Sequence, residues 1–371
     1  MKDKITTHQG IDYALFVTTL MLMAVGVMMV YSSSAIFAKE NFSDSLYFLK
    51  KEAIFTSLGV VSILVFRKID YHIYYKLVYP ILIFTLFLLI LVFLPGIGHS
   101  VKGAQRWIRI AGFSLQPSEF TKIALLIFLA YSLSKKGTSI KSFSKGLLPV
   151  LGISGLFLGL VLLQKDLGTP MILVALIFTM LFIGGARFLH LFSMFAVCVP
   201  ALAALIYFFP HRVKRLICFW DPFQEPYGCG FQLIQSYVAF QGGGLTGRGL
   251  GQGKQKLFYL PESHTDFIFP NLAEELGLIG SLLVIFFFIV LLVRGIKISV
   301  RAPDSFGTYL AVGITLLISL QAAFNLAVVM GMIPTKGLPL PFISHGGTYL
   351  LVVTALIGVL LNISSQSVKA D

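Results

Sequence analysis

Ten separated runs of apolar residues limit what this chain can fold into. They fall at about 11–33, 53–66, 77–95, 118–134, 146–163, 170–185, 188–209, 272–293, 306–330 and 347–363, the second and sixth being short. A helix needs roughly 20 apolar residues to cross about 30 Å of hydrocarbon. Charged residues make up only 12% of the 371, against about 25% in a soluble domain. That leaves too little polar surface for a water-soluble particle of this size. The expected fold is an all-α polytopic membrane protein, a single domain over 1–371 with about ten transmembrane helices. The first run is long and no small-residue cleavage site follows it, so it reads as a retained span rather than a signal peptide.

Orientation follows from the Lys and Arg content of alternate loops. With the N-terminus inside, the inner loops and ends hold fourteen basic residues and the short outer loops eight. That favours N-in and C-in, and it puts the long polar segment at about 210–270, between the seventh and eighth spans, outside. This segment adds six more basic residues to the outer face. A net charge of +13 would raise nucleic acid as a partner for a soluble protein. In a membrane protein it points to anionic lipid or an anionic ligand instead. Cys218 and Cys229 lie in the same segment and leave a disulfide open, since nothing else suggests a disulfide framework.

The polar segments carry the chemistry. Tyr259 to Phe269 places Glu262, His264 and Asp266 at the edge of an apolar run, where ionisable groups are costly and usually functional. Asp266 reads either as a general base beside an apolar wall or as a helix cap or ion-pair partner. A metal held by these three residues is disfavoured, because they converge poorly and no further His/Cys cluster is present. Gly242 to Lys254 holds a glycine-rich stretch that fits neither a dinucleotide fold nor a Walker A loop. Its amides either face an anion or form a tight re-entrant turn. Glu119 and Lys122 share a helix face, as a structural ion pair or as the lining of a polar cavity. Trp107, with Arg106 and Arg109, suits an interfacial position near an anionic head group. The prolines and glycines of 334–347 argue for broken backbone at membrane depth.

Together these segments resemble the SEDS family (shape, elongation, division, sporulation) of bacterial cell-wall polymerases. The motifs are Gly103-Ala-Gln-Arg-Trp107, Gln116-Pro-Ser-Glu119, Gln164-Lys-Asp-Leu-Gly168, Gly230-Phe-Gln-Leu-Ile-Gln-Ser236, Leu260 to Phe269, Glu274-Glu-Leu-Gly277 and 334–347. Gln255 to Glu262 and Pro334-Thr-Lys-Gly337 bring the chain closer to the division type than to the elongation type. Lys165, Cys229, His345 and Thr348 depart from the residues usual in the family.

The resemblance implies a peptidoglycan glycosyltransferase that polymerises lipid II in the bacterial cytoplasmic membrane, at the division septum. A lipid II flippase, or a scaffold that only recruits a transpeptidase, are the competing readings. Asp266 is the expected general base. Arg106, Trp107, Arg109, Glu119, Lys122, Arg212, Arg215, Gln235, Ser236, Glu262, His264, Thr265, Lys336 and Ser344 are the expected substrate contacts. A class B penicillin-binding protein and other divisome proteins are the expected partners, and nucleic acid is not. A divalent cation (Mg or Mn) beside the pyrophosphate is chemically reasonable, but no ligand set in the chain demands one.

Overall fold

The computed structural model describes residues 10–101, 104–110, 113–207, 210–257, 260–261 and 263–367. The first helices are α1 (Tyr13–Phe42), α2 (Tyr47–Phe66), α3 (His72–Lys76) and α4 (Val78–Leu91). Three strands follow, β1 (Gly98–Val101), β2 (Ala104–Ile110) and β3 (Phe113–Leu115). Then come α5 (Pro117–Lys136), α6 (Leu148–Leu163), α7 (Gly168–Ile183), α8 (Phe188–Tyr207), α9 (Pro210–Trp220) and α10 (Phe231–Gly243). The chain closes with α11 (Ile268–Val300), α12 (Ser305–Val329) and α13 (Gly347–Ser365).

A helix covers each of the ten apolar runs: α1, α2, α4 to α8, and α11 to α13. Among the described residues, six helical stretches are long and apolar enough to cross a membrane: 13–42, 117–141, 143–163, 268–300, 305–329 and 347–365. The apolar helical stretches at 78–91, 168–183 and 188–197 are shorter. Large side chains such as Ile83, Phe84, Phe87, Leu163 and Phe192 point outward, as suits helices solvated by lipid.

The expectation of an all-α chain is corrected at one place. β1, β2 and β3 form an antiparallel meander in that order. Arg106-Trp-Ile-Arg-Ile110 is too short to span, and its aromatic and β-branched residues suit a strand. Ile108 is buried against Leu88 and Val92 of the α4 end. The segment at 210–270 is not plain loop either, since it contains α9 and α10.

Local chemistry sets the helix ends. Asp12 accepts from Leu15 N at 2.9 Å to start α1, and Asp304 accepts from Gly307 N at 2.8 Å to start α12. Both are N-caps for otherwise unbonded amides. The Tyr71 hydroxyl also donates to Asp304, tying the α2–α3 turn to α12. In the α1–α2 turn, the ammonium of Lys50 hydrogen-bonds Asp44 at 2.8 Å. That bond, with one from the Leu46 amide, holds the Asp44 carboxyl below its ordinary range. The main core is a cluster to which all ten of these apolar helices contribute. Within it α2 runs along α13, α11 along α12, and α5 packs between α4 and α12.

Candidate active site

Asp266 stands two residues before α11, in the turn that leads into that helix. A second non-helical segment, 331–346, joins α12 to α13, and it runs against 264–266. Backbone bonds fasten the two together. His345 N donates to His264 O at 3.0 Å. Ser344 Oγ donates to Thr265 O at 2.6 Å and accepts from Leu340 N at 2.8 Å. Asn325 of α12 spans both segments, donating from Nδ2 to Asp266 O at 2.8 Å and to Leu338 O at 2.6 Å. Non-helical backbone at membrane depth needs such partners, because lipid supplies none.

The result is a carboxylate on a rigid mount. Asp266 is half-buried, and its Oδ2 lies beside the Cα of Gly337, where a built Cβ would fall only 2.7 Å away. Lys336 is the neighbouring residue, half-buried on the same segment. The His264 ring packs with Phe48 at 4.9 Å, Phe37 at 5.7 Å and His345 at 6.2 Å between centroids. Beneath them Glu52, buried in α2, meets His345 Nδ1 at 2.5 Å.

Two further groups reach this centre. Gly168, which begins α7, abuts Leu338 and the carbonyl of Gly337. Asp166 caps that helix, accepting from Gly168 N at 3.0 Å and from Thr169 Oγ1 at 2.8 Å. Arg106 of β2 reaches the same turn, donating from Nη2 to Lys165 O at 2.5 Å and lying 3.8 Å from Asp166. From the other side, Lys122 and Glu119 of α5 form a buried pair at 2.8 Å. Lys122 also donates to Gln321 Oε1 at 3.2 Å and sits 5.1 Å from the Tyr349 ring centroid. Gln321 in turn donates to Pro339 O at 3.4 Å. The pair thus supports the 331–346 segment from inside the bundle.

The glycine-rich stretch has an internal use. Its amides serve the chain's own carboxylates. Glu274 accepts from Lys254 N and Gln255 N, both at 3.0 Å. Glu275 accepts from Gly251 N at 3.0 Å, from Lys256 Nζ at 2.7 Å and from Ser32 Oγ at 2.7 Å. α11 breaks at Gly277, with φ of 69°. There Leu278 N donates to Gly244 O at 3.0 Å, and Arg248 N donates back to Glu274 O at 3.0 Å. A side chain at Gly247, itself at φ of 80°, would strike Glu275 O. These bonds hold the stretch as a tight turn against α11.

The chain's relatives bear on this centre. Residues 13–369 match the FtsW/RodA/SpoVE cell cycle protein family. The chain belongs to this family. A Trichlorobacter lovleyi protein named "Probable peptidoglycan glycosyltransferase FtsW" is 47% identical over 95% of this chain and 93% of its own length. A Geobacter sp. (strain M18) protein of the same name is 43% identical over 96% and 98%. Stage V sporulation protein E of Bacillus subtilis is 42% identical over 96% and 97%. Among solved structures, a chain from a peptidoglycan synthase complex that coordinates polymerization and crosslinking matches with a TM-score of 0.78 at 27% identity, covering 95% of this chain and 97% of that one. Thermus thermophilus RodA matches in fold, with a TM-score of 0.72 over 97% and 98% at 24% identity.

In this FtsW/RodA/SpoVE chain, not every expected contact gathers at Asp266. Trp107 and Arg109 flank the buried Ile108 along β2, so they occupy the face opposite to it. The β1–β2 register shifts between Trp107 and Gln105, so simple alternation does not assign Arg106 to a face. Ser236 of α10 is buried and donates to Val329 O at 2.6 Å, while Gln235 beside it is half-buried. Arg215 is exposed on α9. Arg212 is placed on α9 by its backbone alone, and Glu262 lies outside the described residues. Sequence reasoning missed Asp166, Asn325, Gln321 and the Glu52–His345 pair as site residues. Asp166 and the two glutamates 274–275 did stand in the motifs, and a carboxylate within or beside an apolar helix was the available signal.

Proposed function

We propose that this chain is a peptidoglycan glycosyltransferase that polymerises lipid II, with Asp266 as general base. Relatives 43% and 47% identical over nearly their whole length carry the FtsW glycosyltransferase name, and the septal role follows that naming. The observation that carries the mechanism is the mounting of Asp266: the backbone that bears its carboxylate is fixed by bonds from Asn325 to the 266 carbonyl and from Ser344 to the 265 carbonyl. The 4-hydroxyl of the acceptor GlcNAc attacks the anomeric carbon of the donor, and undecaprenyl pyrophosphate leaves. Asp266 takes the hydroxyl proton as the bond forms. The leaving group is already a stabilised anion, so cations near it help more than an acid would. Arg106 and Lys336 are basic residues on two of the elements that surround Asp266.

The proposed topology, ten spans with both ends inside, sets this centre at the outer face of the cytoplasmic membrane. The Cys218–Cys229 disulfide supports that placement, because disulfides persist in oxidising compartments. Among the described residues, the only three-group cluster of metal-ligating side chains is Cys218, Glu225 and Cys229, and its two cysteines are bonded to each other. No step is routed through a metal. A class B penicillin-binding protein is the proposed partner, since a matching chain was solved in a polymerising and crosslinking complex.

The test is reconstitution with fluorescent lipid II and a cognate transpeptidase, reading products by length on a gel. Glycan strands support the polymerase. Lipid II that crosses the bilayer without strand formation identifies a flippase instead.

A further inference from the structure

At the end of the bundle opposite Asp266, α1 begins and α11 and α13 finish. Between these three ends lies a cavity of about 300 Å³. Arg294, Lys297 and Arg301 of α11 line it. Their spacing of i, i+3 and i+7 puts them on one helix face.

Only Asp12 answers these three cations. It lines the cavity with them and holds Arg294 through Nε at 3.0 and 2.9 Å and through Nη2 at 2.6 Å. The Asp12 amide donates to Ser364 Oγ of α13 at 3.2 Å, so the Arg294 guanidinium is set in place from two other helices. Among the described residues no carboxylate pairs with Lys297 or Arg301. Like charges at such spacing destabilise a helix. The helix C-terminus offsets part of this, but the cavity still holds three cations against one anion. One side of its rim is apolar, formed by Ile11, Tyr13 and Ala14, with Ile298 buried in the lining, and Tyr13 is 68% exposed. Tyrosine with basic residues at a span end marks the head-group level of a bilayer.

We infer that this cavity binds the phosphate of an anionic phospholipid. Lys297 and Arg301 contact the phosphate, Arg294 lends its charge from a fixed position, and the apolar rim receives the glycerol and the first acyl carbons. Basic pockets between membrane helices bind head groups in this way. A free phosphate ion would use the same cations and gain nothing from the rim.

The experiment uses the full chain in detergent, titrated with phosphatidylglycerol and read by native mass spectrometry. Lys297→Gln/Arg301→Gln is compared with wild type. Lys68→Gln/Lys76→Gln removes two exposed charges from the same end but outside the cavity. The expected result is one tightly retained lipid in wild type and in the Lys68/Lys76 variant, with retention roughly tenfold weaker or more when Lys297 and Arg301 are lost. Equal retention by all three proteins overturns the inference. So does equal loss in both variants, which would mean diffuse attraction. In a second arm, thermal unfolding of wild type is followed with phosphatidylglycerol and with inorganic phosphate. Stabilisation by the lipid alone is expected, and equal stabilisation by millimolar phosphate overturns the lipid assignment.

Discussion

The Asp266 carboxylate and the Cα of Gly337 are in such close contact that a Cβ at 337 would lie 2.7 Å from Oδ2. Glycine is therefore required there for clearance. Gly337→Ala should push the carboxylate aside while leaving the fold intact, because residue 337 itself is exposed. A shift of about 1 Å at a catalytic group can cost about 100-fold in rate. Strand formation from lipid II should fall by that order, with the melting temperature little changed.

Asn325 bridges the carbonyls of Asp266 and Leu338. Asn325→Leu is close in size and removes both bonds. Each orphaned buried carbonyl costs about 1–3 kcal/mol, so purified protein should melt earlier. The rate should fall more than the KM for lipid II changes, because the defect lies in positioning rather than in binding. A raised KM at unchanged kcat would instead place Asn325 at the substrate.

Glu275 and Lys256 form a buried pair at 2.7 Å, with Ser32 of α1 on the same carboxylate. Removing one partner of a buried pair costs about 3–5 kcal/mol. Lys256→Met should therefore unfold well before wild type in a thermal ramp. Lys256→Met/Glu275→Gln should recover much of the loss, since the uncompensated charge is gone.

The Cys218–Cys229 disulfide closes an 11-residue separation and ties the end of α9 to the turn before α10. Peptide mapping of protein isolated without reductant should find the two cysteines crosslinked. Cys218→Ser/Cys229→Ser should loosen this segment by about 2–3 kcal/mol in the chain-entropy account, read as faster proteolysis between 210 and 230. Free thiols at both positions in protein taken from intact membranes would argue against an outer location for the segment.

The apolar runs were legible because a span announces itself by length and composition alone. Asp266 was legible for the opposite reason, as an ionisable group where such groups are costly. What fastens it was not. Ser344 and Thr265 are 79 residues apart and Glu52 and His345 are 293 apart, so neither pair leaves a local pattern. The aromatic and β-branched residues of β2 were present in the sequence, but the run is short and does not alternate polar with apolar, and the interfacial reading of its tryptophan and arginines competed with it. The glycine-rich stretch stayed open between two readings. Its shape depends on Glu274 and Glu275, about 20 residues downstream, which accept from the Lys254 and Gly251 amides. Glu119 and Lys122 were readable as neighbours on a helix, but their link through Gln321 to Pro339 exists only in the folded bundle.

The most direct measurement compares wild type with Asp266→Asn for strand formation from purified lipid II, in the presence of the cognate transpeptidase. The substitution keeps the size of the side chain and the Asn325 bond to the 266 carbonyl, and it removes the basic carboxylate. The account predicts a folded variant that polymerises at least about 100-fold more slowly. Polymerisation by Asp266→Asn within a few-fold of wild type would contradict it, and would leave Asp266 a structural residue.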